Sequence, residues 1–121
     1  MNIVVLAGGL SPERDVSLAS GSLIANALIQ NGHRVLLIDL YSGLEGVRDF
    51  EDAYGKHRVE EYLYTVPAQE PDLAQIKTDH GNRQELIGPG VLEVCKTADV
   101  AFLALHGSIG ENGQLQAVLD I

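Results

Sequence analysis

The chain has 121 residues, 45% of them hydrophobic and 21% charged, enough apolar material for one core and too little for a second. Seventeen acids against eight bases give a formal net charge of −9, which repels nucleic-acid phosphates and excludes DNA or RNA as an expected partner. The single cysteine, Cys95, excludes an internal disulfide framework and fits a cytoplasmic setting, while the absence of a basic leader or a long apolar run leaves no expected membrane partner.

Asn2 to Ala7, NIVVLA, is a short β-branched and aliphatic run ending at Gly8 and Gly9, the pattern of a parallel strand buried on both faces. A helix follows: Ser11, Asp15 or Ser17 is its cap, Pro12 suits its first position, and Asn31 with Gly32 ends it. Its predicted apolar face is Val16, Ala19, Leu23, Ile24, Ala27 and Leu28. Arg34 to Leu40, RVLLIDL, reads as a second buried strand, so the first forty residues make a strand, a crossover helix and a strand, half of a doubly wound sheet. Residues 41–90 hold six of the glycines and three of the four prolines; only Tyr62 to Val66 looks strand-like, and the rest is expected to be irregular connection. Tyr41 to Thr97 also carries 11 acids and six bases, the signature of solvated surface. Val91 to Lys96 reads as a short helix, Val100 to Ala104 as a third parallel strand, and QLQAVLDI as the start of a helix with Leu115, Val118 and Leu119 on one face. The chain stops inside that apolar stripe, so it is expected to be the front portion of something larger.

In an open parallel sheet, ligands gather at the carboxyl ends of the strands. Two loops lie there: Gly8 to Ser17 after the first strand, and His106 to Gln116 after the third. They face each other if those strands are neighbours. Neither contains G-x-G-x-x-G or the Walker sequence, so no dinucleotide or phosphate-cradling loop is expected. The four histidines lack the close spacing of a zinc site, and no metal is expected on this chain. Glu13, at the first turn of the helix, has two readings: a charged cap favoured by the helix dipole, or a cleft carboxylate paired with a substrate ammonium. Arg14 and Asp15 read as solvent-facing or inter-loop ion pairs. His106 is equally a packed ring or a ligand contact, and Gly107, Gly110 and Gly113 either bring backbone N–H groups to an anion or simply satisfy turns.

Taken together, AGGLSPERDVSLASG and ALHGSIGENGQLQAVLD resemble the N-terminal domain of the D-alanine-D-alanine ligases, members of the ATP-grasp superfamily. The first loop matches the family pattern at Gly8, Gly9, Ser11, Glu13, Arg14, Asp15, Val16 and Ser17. The second matches it at His106, Gly107, Gly110, Glu111, Gly113 and Gln116, with Asn112 standing where the family has Asp and Ala117 where it has Gly. Residues 41–90 contribute nothing to the resemblance.

The resemblance implies an α/β half-Rossmann (pre-ATP-grasp) domain, residues 1–121, with a parallel sheet of three or four strands flanked by helices. It implies that Glu13 binds the ammonium of the first D-alanine as the catalytic carboxylate, with Val16, Ser17, His106 and Gly107 lining the same pocket. The implied reaction moves the γ-phosphoryl of ATP to the carboxylate of one D-alanine, and the amine of a second attacks the acyl phosphate, making the D-alanyl-D-alanine dipeptide of peptidoglycan. ATP and Mg2+ would belong to further domains of a homodimeric full-length enzyme, leaving this chain alone without turnover or bound cofactor. The second substrate, D-alanine, D-lactate or D-serine, stays open. Two competing readings are a non-catalytic half-Rossmann module binding a metabolite or partner, and the front domain of an ATP-grasp carboxylase or purine-pathway ligase.

Overall fold

The computed structural model describes residues 1–105. The loop from His106 and the expected helix bearing Leu115, Val118 and Leu119 lie outside the described residues. Strand β1 (Asn2–Ala7) pairs in parallel with β2 (Arg34–Asp39) on one side and with β3 (Val100–Leu103) on the other, in the order β2-β1-β3. The two glycine-flanked loops therefore leave neighbouring strands, and the α/β class read from the apolar runs holds.

Helix α1 (Arg14–Gln30) crosses from β1 to β2 on one face of the sheet. There Ile3, Val5, Ala7, Ala25 and Val35 form one core. On the other face Val4, Leu6, Leu36, Ile38 and Leu40 pack against Val47, Phe50 and Ala53, and against Val91 and Val94. Apart from Val47, which precedes them, those covering residues come from two short helices, α2 (Phe50–His57) and α4 (Val91–Thr97), with α3 (Leu73–Asp79) between them in sequence.

Three expectations are corrected. The buried seam of α1 is Ser17, Gly21, Ser22 and Ala25, while Val16 and Leu23, placed on the apolar face by size, are 53% and 74% exposed. Along this seam the helix lies close to the sheet, where a Cβ at Gly21 would sit 2.8 Å from Ala7 Cβ and 3.0 Å from Leu37 Cδ1, while the larger Leu18, Ile24 and Leu28 pack half-buried against the core beside it. Tyr62 to Val66 forms no strand. It runs extended across α1, where Asn26 imitates a backbone partner by donating to the Tyr62 carbonyl (2.9 Å) and accepting from its N–H (2.7 Å). Finally, the middle of the chain is not all solvated surface, because Tyr41, Val47, Phe50, Ala53, Val91 and Val94 are buried.

Helix α2 is held at both ends of its first turn. Asp49 accepts from Asp52 N (2.8 Å) as its cap, and Phe50 N donates to Thr97 Oγ1 (2.7 Å). The Arg34 guanidinium donates to both Glu51 oxygens (2.5 and 2.6 Å) and lies over the Tyr54 ring, 4.5 Å from its centroid; its hydrogen bonds hold the Glu51 carboxyl below its ordinary pKa. Helix α3 is capped by Asp72 and buries no residue. Burial pushes the Cys95 thiol of α4 up to about 11, so it stays protonated and unreactive. Among the described residues, no helix is long and apolar enough to cross a membrane.

Candidate functional site

The carboxyl ends of all three strands converge on one loop. After Ala7 the chain turns through Gly8 and Gly9, at φ of 76° and 86°, a left-handed pair that side-chain-bearing residues adopt only with strain. Space adds a second constraint, since a Cβ on Gly8 would lie 2.9 Å from Asp39 Cγ. Every polar backbone contact of this turn goes to a side chain. Gly8 N donates to Ser17 Oγ (2.8 Å), Gly9 N donates to Asp39 Oδ1 (3.1 Å), and the Gly9 carbonyl accepts from Arg14 Nη1 (2.8 Å). Ser17, fully buried, donates in turn to the Ala104 carbonyl, which ties the first loop to the exit of β3.

The run Glu13-Arg14-Asp15 divides by partner. Arg14 Nη2 donates to Asp39 Oδ2 at 2.5 Å, an inter-loop ion pair whose side chains are 12% and 16% exposed. Asp15 is buried and accepts from the Tyr64 hydroxyl. That hydroxyl is pushed up to about 12, first by lost hydration and then by the hydrogen bond to Asp15 and its charge. Glu13 is exposed at the start of α1. Its Oε2 accepts from Ser11 Oγ (2.8 Å), its own N–H donates to the same hydroxyl (3.1 Å), and it has no cationic partner among the described residues. Helix α1 begins at Arg14, with no side-chain hydrogen bond from Glu13 as its cap; Ser11 and Pro12 belong to the turn before it, where Arg14 N donates to the Ser11 carbonyl at 3.0 Å.

Of the residues expected to line a site, Glu13 and Val16 are exposed on the first turn of α1, three positions apart and so on one side of it. Ser17 faces inward with its hydroxyl spent on Gly8 N and on the Ala104 carbonyl at the exit of β3. His106 and Gly107 lie outside the described residues. Two residues went unnoticed in the sequence, Asp39 and Tyr64. A lone carboxylate ending an otherwise apolar strand, opposite a glycine pair and an arginine, was the available sign for Asp39; Tyr64 gave none. Among the described residues no three His, Cys, Asp or Glu side chains gather as a metal site needs.

With this geometry in place, the family likeness can be weighed. The family model described as "D-ala D-ala ligase N-terminus" matches residues 2–121. A D-alanine-D-alanine ligase of Lacticaseibacillus casei (strain BL23) is 46% identical over 100% of this chain, which covers 34% of that protein. The ligase of Pediococcus pentosaceus is 44% identical over 100% of the chain and 35% of its own length, and that of Lawsonia intracellularis is 36% identical over 99% of the chain and 25% of its own. The chain thus spans between a quarter and about a third of these relatives. Beside the tie from Ser17 to Gly8 and to the exit of β3 stands a match along nearly the whole sequence: the chain belongs to the N-terminal domain family of the D-alanine-D-alanine ligases.

Proposed function

We propose that this chain is the first-substrate domain of a cytoplasmic, ATP-dependent D-alanine-D-alanine ligase that supplies the dipeptide of peptidoglycan, and that residues 1–121 form one domain of it. The observation that supports this best is the state of Glu13. Its neighbours Arg14 and Asp15 are both engaged, whereas Glu13 is oriented by a hydroxyl and lacks a cation among the described residues. An exposed carboxylate held in one orientation at the carboxyl edge of a parallel sheet is matched to an ammonium, which it takes by a charge-assisted hydrogen bond.

In this reading Glu13 holds the amino end of the first D-alanine and leaves the substrate carboxylate pointing away. Val16, exposed one turn along, offers an apolar contact for the methyl group. Ser17 acts by joining the loops, and by family resemblance His106 and Gly107 complete the pocket from the second loop. The chemistry needs position and charge balance more than a protein nucleophile. ATP, when bound, supplies the phosphoryl group that activates the substrate carboxylate. The carboxylates near this loop do not fit its Mg2+, because Asp39 is committed to Arg14 and Asp15 to Tyr64. We assign nucleotide and magnesium to the portion of the full-length protein beyond this chain, and by the same resemblance that protein is a homodimer. The chain alone is expected to give no turnover.

The test is phosphate release from ATP by the full-length protein with and without D-alanine. Release that depends on D-alanine supports the ligase, and its absence overturns it. Glu13→Gln should remove about 2 kcal/mol of transition-state stabilisation, about 30-fold in kcat/KM, the scale of a lost charged partner. Unchanged kinetics would return Glu13 to a helix-end role.

A further inference from the structure

Asp39 is the most heavily used acceptor around the first loop. Its Oδ1 accepts from Gly9 N (3.1 Å) and Tyr41 N (3.0 Å), and its Oδ2 from Arg14 Nη2 (2.5 Å) and Ser42 Oγ (3.3 Å). One carboxylate thus binds the exit of β1, the exit of β2 and the first residue of α1. The Arg14 cation that it neutralises is the chain neighbour of Glu13. Without Asp39, that cation would lose the carboxylate it pairs with directly and would stand mostly shielded from water next to the carboxylate that faces solvent. Contact between the two is not required, because an unpaired positive charge so close opposes an arriving ammonium through its field alone.

We infer that Asp39 is a positioning residue for the first-substrate site: by pairing with Arg14 it keeps the negative charge of Glu13 available to a substrate ammonium. This rests on the proposed reading of Glu13. Counted locally, Glu13, Arg14, Asp15 and Asp39 sum to two negative charges; Asp39→Asn brings the sum to one while keeping the side chain's shape and its capacity to accept from Gly9 N. Arg14→Gln in the same background returns the sum to two negative charges, so the double variant should recover what the single one loses. A residue that merely braced the loop would behave oppositely, since the double variant has fewer hydrogen bonds than either single one.

The experiment uses the full-length enzyme as wild type, Asp39→Asn, Arg14→Gln and the double variant, with phosphate release followed against D-alanine and against ATP. In Asp39→Asn the D-alanine concentration for half-maximal rate should rise about ten-fold, with the KM for ATP within about two-fold of wild type. The double variant should fall back to within about three-fold of Arg14→Gln, which itself should lie close to wild type. An unchanged D-alanine dependence in Asp39→Asn overturns the inference, as does a double variant worse than both single ones. Should Asp39→Asn fail to fold, Arg14→Gln still decides: a large rise in the D-alanine requirement there means bracing rather than charge. If the wild type shows no D-alanine-stimulated release, the ligase reading fails; if it does and Asp39→Asn matches it, only this inference fails.

Discussion

The two faces of the sheet are covered in opposite ways. On one, a single 17-residue helix lies close, and its contact seam is Ser17, Gly21, Ser22 and Ala25. On the other, helices of eight and seven residues stand behind large side chains, with Phe50, Leu40, Val91 and Val94 filling the gap. Close approach requires small residues and tolerates no added volume. A wider gap requires large ones and tolerates no deletion. The close face also places the loop after β1, because Ser17 sits in the seam and reaches Gly8 and Ala104 from there.

Deletion on the wide face should give the largest effect. Phe50→Ala removes a fully buried ring that stacks on Tyr54 with centroids 5.7 Å apart, and urea unfolding should show a loss of about 3–5 kcal/mol. The mirror experiment on the close face is addition. Gly21→Ala puts a methyl 2.8 Å from Ala7 Cβ and should cost about 2 kcal/mol although alanine is the better helix former. A stabilised Gly21→Ala would show that α1 has room to lift and would erase the contrast. The smallest effect belongs to the extended segment outside α1. The Tyr64 hydroxyl is raised to about 12, so the fold holds its proton more tightly than the unfolded chain does. Its contribution is complete below the ordinary tyrosine pKa and is lost as pH rises from there towards about 12. Tyr64→Phe should cost about 1 kcal/mol at neutral pH and flatten the alkaline fall in stability; an identical fall in both proteins would show that the bond to Asp15 does not govern it.

The same contrast explains what could be read from the residues alone. Runs such as NIVVLA and RVLLID announce buried parallel strands because both faces demand apolar side chains; VAFL pairs in the same parallel way, although Val100 and Phe102 stand exposed among the described residues. The end of α1 was marked by Asn31 with Gly32, but its start was not: Ser11, Asp15 and Ser17 stood as cap candidates, whereas the helix begins at Arg14 behind Glu13. Its buried side was marked in part, since Ile24 and Leu28 pack half-buried against the core; the seam itself was not, because hydrophobic size is a poor guide where closeness selects glycine and serine. Helix α3 buries nothing, so it has no stripe to find, and α2 carries Gly55 in mid-helix; their only signs were the caps Asp49 and Asp72 and the bases in their last turns. For the candidate site, Glu13 was legible through loop position and charge. Asp39 was hidden because the partners that bring it to the first loop, Arg14 and Gly9, lie 25 and 30 residues away in sequence, while its near partners Tyr41 and Ser42 read only as a turn after the strand.

The outer side of β2 bears on how the molecule meets others of its kind. Tyr62, held by Asn26, places its hydroxyl against Leu37 N at 3.0 Å, on the side of β2 away from β1. An outer strand with bare amides is a template for edge-to-edge aggregation. Here a phenol occupies one of those amides, that of Leu37, so among the described residues this edge is guarded against intermolecular strand pairing at that point by a side chain instead of another strand.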